Sequence, residues 1–392
     1  MSTLPRPTEA GAGAVRPLTR IAGALPTVLS SLLAVAIALL AGGVVIALSG
    51  QNPFPAYVAL FEGAFGGRRA IAETLVMATP LILGGLGFAV ASRAGLFNIG
   101  LEGQMVLGGL CAGLAAAWNP GLPLYVHLPL ALLAAAIAGG IWGFIPGILK
   151  AKTGAHEVIT TIMLNDLAYR ISTVVIGRED LVLVNPALQA TQPAVDNASL
   201  PLLLEGTRLH AGILLALLAA VVVWFLLYRT VFGYKIRTVG LSQGAAAYAG
   251  ISWGRTIALA MLLSGLLAGL GGAVDAIGLH GRYYNVMLGL GFTSIAVGLV
   301  GRNNPFGVVM AGLLFGALAS GATRMQNTAG ISRDIVYVLL AFVILSVSAL
   351  AVFQQFQQSR RQTTRARGMT YDRAADEAGE PLVEPPPPPR TI

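Results

Sequence analysis

The chain has 392 residues, of which 55% are hydrophobic and only 11% are charged, with a net charge of +8. Soluble domains carry roughly 25% charged residues, because their surfaces face water. The composition therefore excludes a soluble enzyme, a nucleic-acid-binding protein and a disordered scaffold, and it predicts an all-α polytopic membrane protein.

A helix that crosses the hydrocarbon layer needs about 20 mostly apolar residues. Stretches of that length, divided at Pro and Gly clusters, predict about ten transmembrane helices: 24–49, 71–92, 99–118, 128–149, 156–176, 211–228, 256–277, 286–301, 306–322 and 335–353. The first exceeds a signal-peptide core of about 7–15 residues, so we predict a retained helix. The fifth and eighth have the weakest signal, and a broken or re-entrant form of either would lower the count toward eight.

The charge on the loops predicts how these helices are oriented. Ten spans place both termini on one side, and most Lys and Arg residues fall on that side. Cytoplasmic loops carry such an excess, so we predict that both termini are cytoplasmic. The predicted domains are a disordered N-terminal segment, a transmembrane domain and a disordered C-terminal tail, at 1–20, 21–356 and 357–392.

No enzyme motif is complete in this sequence. The string 156–160 begins a zinc-protease H-E-x-x-H pattern but ends in Thr160, and no G-x-x-x-x-G-K-[ST] phosphate-binding loop occurs. Two G-x-S-x-G strings, at 240–244 and 250–254, lack the strand that a nucleophile elbow requires. A single cysteine, Cys111, excludes a disulfide framework. We expect no catalytic residue, no metal site and no cofactor bound by this chain.

Polar residues inside the predicted helices are informative, since each costs a few kcal/mol in lipid. Four of them recur every four positions along one face of the fifth helix, with Thr160 beside them: Glu157, Thr161, Asn165 and Tyr169. This face predicts the lining of a hydrated path; interhelical hydrogen bonds that fix packing are the alternative. Asp166 and Arg170 lie on another face as an i, i+4 pair, for which we predict a structural role.

A second polar group surrounds the start of the third helix and consists of Asn98, Glu102 and Gln104. Asn98 is a predicted helix N-cap, and Glu102 lies in the first turn, where a carboxylate complements the helix dipole. Capping accounts for Asn98 but not for Glu102 and Gln104 together. We therefore predict that all three residues lie along a translocation path.

The longest predicted inner loop, 233–251, is basic at its start and then rich in alanine. Ser242 is the predicted cap of a short helix over 243–249, which Gly250 ends. An ordered helix in a loop indicates a docking element for another protein, and a helix on the bilayer surface is the alternative. The predicted coupling residues are Lys235, Arg237, Ser242, Ala246, Tyr248 and Gly250.

Four segments together resemble the permease subunits of bacterial ATP-binding-cassette (ABC) importers, in the family of ribose, branched-chain amino acid and nucleoside (basic-membrane-lipoprotein-type) systems. They are FNIGLEGQ at 97–104, EVITTIMLN at 157–165, the 233–251 loop, and GFTSIAVGLVGRNNPFG at 291–307. The resemblance extends over about 24–353, and the first two segments are most similar to the nucleoside-type branch. Ser242 replaces the Asn common in relatives, and either residue caps a helix.

The resemblance implies a bacterial cell-membrane complex of two permease subunits, identical or homologous, with cytoplasmic ABC ATPases and an extracytoplasmic substrate-binding protein. ATP would then be used by the partner ATPase and not by this chain. The implied function is a translocation path for a small polar solute, with a nucleoside as first choice and a simple sugar such as ribose as second. Two other classes stay open: an ion-coupled secondary transporter, with its coupling site at Glu102 or Glu157, and a non-transporting membrane scaffold.

Overall fold

The computed structural model describes residues 36–286 and 289–331, together with residues 335, 338, 341–342 and 345–346. Its helices are α1 (Ala36–Leu48), α2 (Pro53–Phe65), α3 (Arg68–Arg93), α4 (Leu101–Ala117), α5 (Leu124–Thr153), α6 (Glu157–Ile176), α7 (Gly212–Arg229), α8 (Val231–Leu241), α9 (Gln243–Tyr248), α10 (Trp253–Ala273), α11 (Leu290–Val300) and α12 (Pro305–Ala329). The predicted disordered ends lie outside the described residues, as do the start of the first predicted helix and most of the tenth.

The described residues belong to two units, of which the larger runs from Gly43 to Leu340. The other unit contributes only residues 36–42 and four positions after residue 340 to the described part of the chain. All of the packing and the sites that follow lie within the larger unit.

Within the described part of the chain, six helices are long and apolar enough to cross a membrane, namely α3, α5, α6, α7, α10 and α12. Each coincides with a predicted span, so the prediction of a helical polytopic membrane protein is confirmed. The eighth predicted span contains only α11, which has 11 residues. At 1.5 Å per residue this helix is about 17 Å long, too short to cross a layer of about 30 Å by itself.

Helix α2 was not predicted from the sequence, because its 13 residues fall short of the length required of a membrane span. Its start is nonetheless encoded locally. The Asn52 side chain accepts a hydrogen bond from the backbone N–H of Phe54, at 3.0 Å, and Pro53 follows at the first helical position, where its missing N–H is not needed.

Close crossings of glycine-rich faces hold the unit together. α3 is its central helix, buried from residue 78 to residue 91 and packed against α10, α11 and α12. In the crossing of α5 and α10, a Cβ atom built on Gly139 would lie 2.4 Å from the Gly265 carbonyl oxygen, and one on Gly269 would lie 2.2 Å from the Ala135 carbonyl oxygen. Only glycine allows two helix backbones to approach this closely.

Charged residues form contacts near both ends of α3. At its C-terminal end, the Arg93 Nε donates to the Asn303 carbonyl oxygen at 3.0 Å, and the guanidinium groups of Arg93 and Arg237 lie 6.0 and 5.2 Å from the ring of Tyr228. Near its other end, Glu73 pairs with Arg208. Loops that were predicted to lie on the same side of the membrane therefore meet at the same end of the unit.

The segment between α6 and α7 covers the end of the unit opposite Arg93. A two-stranded antiparallel sheet forms from β1 (Val184–Asn185) and β2 (Ala190–Thr191). The N–H of Thr191 donates to the Tyr283 carbonyl oxygen at 2.9 Å, and the N–H of Tyr283 donates to the Thr191 hydroxyl at 3.1 Å. This segment is thereby fixed to the chain that follows α10.

Candidate functional site

A cluster of buried amides lies where the chain enters α4. The Asn98 and Gln104 side chains exchange two hydrogen bonds, at 3.1 and 3.2 Å, and the Asn98 amide also donates to the Ser264 hydroxyl of α10 at 2.9 Å. Asn98 and Gln104 are almost completely buried. The cluster therefore joins α4 to α10 through polar groups that satisfy one another.

The predicted N-cap role of Asn98 is wrong. α4 begins at Leu101, and its N-cap is Gly100, which has no side chain to cap with. Asn98 lies too early in the chain, so its Oδ1 accepts from the backbone N–H of Gly100 at 2.9 Å, in a turn that precedes the helix.

The carboxylate of Glu102 lies between two helix N-termini. Glu102 is in the first turn of α4, as predicted. Its two oxygens accept hydrogen bonds from the backbone N–H groups of Gly289 and Gly291, at 3.0 and 2.6 Å, at the start of α11. A Cβ atom built on Gly291 would lie 2.2 Å from the Glu102 backbone nitrogen, so only glycine allows α11 to approach α4 this closely. The positive ends of two helix dipoles therefore meet at this buried carboxyl group.

The polar face of α6 packs against the start of α4. The Asn165 side chain accepts from the N–H of Gly103 at 2.8 Å and donates to the Ile99 carbonyl oxygen at 3.0 Å. The Thr161 hydroxyl is buried and donates to the Glu157 carbonyl oxygen at 2.7 Å. The predicted common face is confirmed, and these contacts favour the packing alternative. Its role in translocation stays a prediction.

The remaining members of that face are less enclosed. Glu157 forms an ion pair with Lys150, which joins the start of α6 to the end of α5. Thr160 is half-buried, and its hydroxyl donates to the Glu157 carbonyl oxygen at 3.1 Å. Tyr169 is also half-buried. Of the predicted residues on this face of α6, Thr160 and Tyr169 are thus more open to their surroundings than the other three.

A small cavity beside Glu102 contains polar residues that the sequence analysis missed. It has a volume of about 30 Å³ and is lined by Asp275, Tyr283 and Tyr284, among others, which is room for about one water molecule. Asp275 lies on a π-helical continuation of α10, Val274–Leu279, a distortion that is frequent at functional sites. Asp275 is an acidic residue within the seventh predicted span, and this signal could have indicated the polar cavity from the sequence.

Two contacts tie this cavity to the rest of the unit. The Tyr283 and Ser172 hydroxyl oxygens are 2.8 Å apart, which links the loop after α10 to α6. The Asp275 carboxylate lies 3.6 Å from the ring of His280 and raises the pKa of that histidine. The cavity itself lies between α4, the π-helical segment at the end of α10, and the chain that leads into α11.

The predicted short helix is present as α9. Ser242 caps it by accepting from the N–H of Ala245 at 3.3 Å, and Gly250 follows in a left-handed conformation, with φ of 68°. Ala246 is fully buried, whereas Tyr248 is 99% exposed. Lys235 on α8 is exposed as well. Helix α9 is therefore packed against the unit on one side and exposed on the other. Its docking role stays a prediction.

A comparison with protein families places this geometry in context. The family model described as "Branched-chain amino acid transport system / permease component" matches residues 70–348. The match begins in the first turn of α3 and extends beyond α12, so it includes every contact of the candidate site. No solved structure matches the chain.

Several curated proteins are similar over most of their length. The guanosine ABC transporter permease protein NupP of Bacillus subtilis is 41% identical over 83% of this chain and 94% of its own length. The nucleoside ABC transporter permease protein NupB of Lactococcus lactis is 38% identical over 83% of this chain and 92% of its own. The glucose ABC transporter permease protein TsgB13 of Haloferax volcanii is 33% identical over 88% of this chain and 91% of its own length.

Proposed function

The chain belongs to the branched-chain amino acid transport system permease family, and we propose that it carries a nucleoside through the membrane as a permease subunit of an ABC importer. The observation that carries the proposal is the similarity, over almost their whole length, to permeases named for guanosine and nucleosides. A glucose permease is also similar, so a simple sugar is the second candidate substrate.

The other components of the importer follow from this assignment. We propose that a separate ABC ATPase binds and hydrolyses ATP, because this chain has no phosphate-binding loop. A substrate-binding protein would supply the solute from outside, and a second permease, identical or homologous, would complete the path. No cofactor is proposed for this chain.

The ATPase is proposed to dock on α9. This helix directly follows α8, and α8 packs closely against the C-terminal end of α3, since a Cβ atom built on Gly240 would lie 2.2 Å from the Arg93 carbonyl oxygen. The helix therefore lies at the basic end of the unit. Basic loops mark the cytoplasmic side, so we propose that this end is cytoplasmic; the charge pattern of the sequence is the ground for proposing cytoplasmic termini. The exposed Tyr248 and Lys235 offer contacts to a partner, while the buried Ala246 transmits movement of the helix to its support.

Seven of the predicted path residues are proposed to border the path rather than to form its open surface. Asn98, Gln104 and Asn165 hold α4 against α10 and α6, and Glu102 holds α11. A conformational change that moves these helices must rearrange the same bonds, together with those of Glu157, Thr160 and Thr161. A supporting role of these residues is compatible with a path that changes shape when the ATPase, bound elsewhere on the permease, uses ATP.

Reconstitution separates an ABC importer from an ion-coupled transporter. Proteoliposomes would contain the permease, its ATPase and its binding protein, with a labelled nucleoside outside and an ATP-regenerating system inside. We expect uptake only when both ATP and the ATPase are present. Uptake driven by a proton or sodium gradient without ATP would instead support a coupling site at Glu102 or Glu157.

A further inference from the structure

An ion pair lies on the exposed face of α6, opposite the polar face that packs on α4. The Arg170 Nε donates to the Asp166 carboxylate at 2.6 Å, and the two side chains are 72% and 64% exposed. Met163 and Leu167 flank the pair and are exposed as well. The predicted i, i+4 pair is present, but among the bonds described for this helix each charge has only the other as its hydrogen-bonded partner, so the pair joins α6 to no neighbouring helix.

The position of the pair along α6 is unusual. Asp166 lies nine residues from the start of the helix and ten from its end, which places it about 14 Å from the start, near the middle of the hydrocarbon layer. Among the described residues of the six candidate spans, every other charged side chain lies within six residues of a helix end. Charged groups at this depth are strongly disfavoured in lipid.

The exposed face of α7 provides the contrast. Apart from Arg229 at the last position of the helix, its exposed residues are all apolar: Leu214, Leu217, Leu218, Val221, Val222 and Phe225. Such a face is typical of contact with lipid. The exposed face of α6 instead carries a carboxylate near mid-depth and an arginine one turn further along, which contact with lipid would disfavour.

We propose that the face of α6 formed by Met163, Asp166, Leu167 and Arg170 lines the water-filled translocation path. Water keeps an exposed ion pair solvated, whereas a dry interface with a second permease would need further polar partners for it. The proposal rests on the proposed function for the identity of the solute. For a nucleoside, the pair offers a carboxylate acceptor and guanidinium donors to the ribose hydroxyls, and the adjacent Met and Leu side chains offer an apolar surface to the base.

Thiol labelling of the assembled complex tests the environment of this face. Single cysteines would replace Met163 or Leu167 in a Cys111→Ala background, with Leu218→Cys and Val222→Cys on α7 as controls of similar exposure. The probe is a charged, membrane-impermeant methanethiosulfonate. Because the thiolate reacts and forms only in water, we expect labelling at least about tenfold faster on α6 than on α7, with rates on α6 that change when ATP is bound.

Two results would overturn the proposal. Equally slow labelling at all four positions would place this face in lipid. Fast labelling in the isolated permease that disappears in the assembled complex, in every nucleotide state, would place it in a dry subunit interface. Neither readout uses a nucleoside, so a failure of the nucleoside assignment is distinguishable from a failure of this proposal.

Charge variants test whether the pair itself contacts the solute. We expect Asp166→Asn and Arg170→Gln each to lower the maximal uptake rate severalfold while leaving the thermal midpoint of the complex within experimental error. The double swap Asp166→Arg/Arg170→Asp should restore part of the uptake, because it rebuilds an i, i+4 pair in the less favourable order. Unchanged uptake in all three variants, or loss of assembly that parallels loss of uptake, would contradict a role in the path.

Discussion

At the scale of single residues, the structure is organised around buried polar groups that the sequence reveals only in part. Glu102 was singled out by its type and position, but its partners, Gly289 and Gly291, lie 187 and 189 residues away in the chain. No local pattern specifies such a contact. The same holds for Asn98 and Ser264, which are 166 residues apart. A side chain's chemistry was therefore predictable, whereas its partner was not.

Replacement of Glu102 with Gln tests the capping of α11. The amide keeps one acceptor oxygen but turns a donor toward one of the two backbone N–H groups, so that N–H loses its partner. An unpaired buried donor costs about 1–3 kcal/mol, and we expect a lower thermal midpoint for the purified permease.

The matched control is Glu62→Gln, because Glu62 pairs with Arg324 on the surface, where both side chains are about half exposed. An exposed pair contributes at most about 1 kcal/mol. If both variants lowered the midpoint equally, Glu102 would have no special role in holding α11.

At the scale of elements, long apolar helices were predictable because membrane thickness fixes their length. α9 was predictable for a different reason: Ser242 and Gly250 mark its ends in the local sequence. α2 was missed because it is too short for the length criterion, and α11 was predicted too long because its apolar sequence continues beyond the helix. Length alone does not distinguish a span from a helix that ends inside the protein.

The coupling role of α9 is testable with proline. Ala246→Pro removes the N–H that donates to the Ser242 carbonyl oxygen at 3.1 Å, in the middle of the helix, where proline costs about 3 kcal/mol. We expect membrane insertion to persist while ATP hydrolysis no longer drives uptake, measured as the ratio of solute transported to ATP consumed.

Gln243→Pro provides the control, since proline is tolerated at the first helical position and the preceding Ser242 is already extended, with ψ of 117°. This variant should retain most of the wild-type ratio. Normal coupling in Ala246→Pro, or equal loss in both variants, would remove α9 as the coupling element.

The crossing of α5 and α10 makes a second prediction at this scale. In Gly265→Ala the new methyl would lie 2.2 Å from the Gly139 carbonyl oxygen, so the two backbones must move apart. Overpacking of this kind costs about 1–3 kcal/mol, and we expect a lower thermal midpoint and less folded protein in the membrane.

Gly244→Ala serves as its counterpart, because the nearest atom to that Cβ is the Ser242 hydroxyl at 4.0 Å. Alanine is favoured over glycine in a helix, so this variant should be neutral or slightly more stable. A neutral effect of Gly265→Ala would show that the crossing tolerates separation.

At the scale of the whole molecule, one end of the unit is basic and bears α9, while the other end is covered by the segment between α6 and α7. This polarity is what an importer needs, with an ATPase on one side and a source of solute on the other. That Arg93 and Arg237 lie at the same end followed from counting charges along the sequence, because an excess of Lys and Arg on one side is a general property of membrane proteins. The route of the solute did not follow, since it depends on which faces the assembled complex leaves open.

Competition for uptake tests the central assignment most directly. Cells that express this permease with its ATPase and binding protein would be given a labelled nucleoside, together with an excess of an unlabelled nucleoside, ribose, glucose or leucine. We predict that unlabelled nucleosides block uptake and that the sugars and leucine do not. Inhibition by ribose, glucose or leucine, but by no nucleoside, would contradict the assignment of a nucleoside as the transported solute.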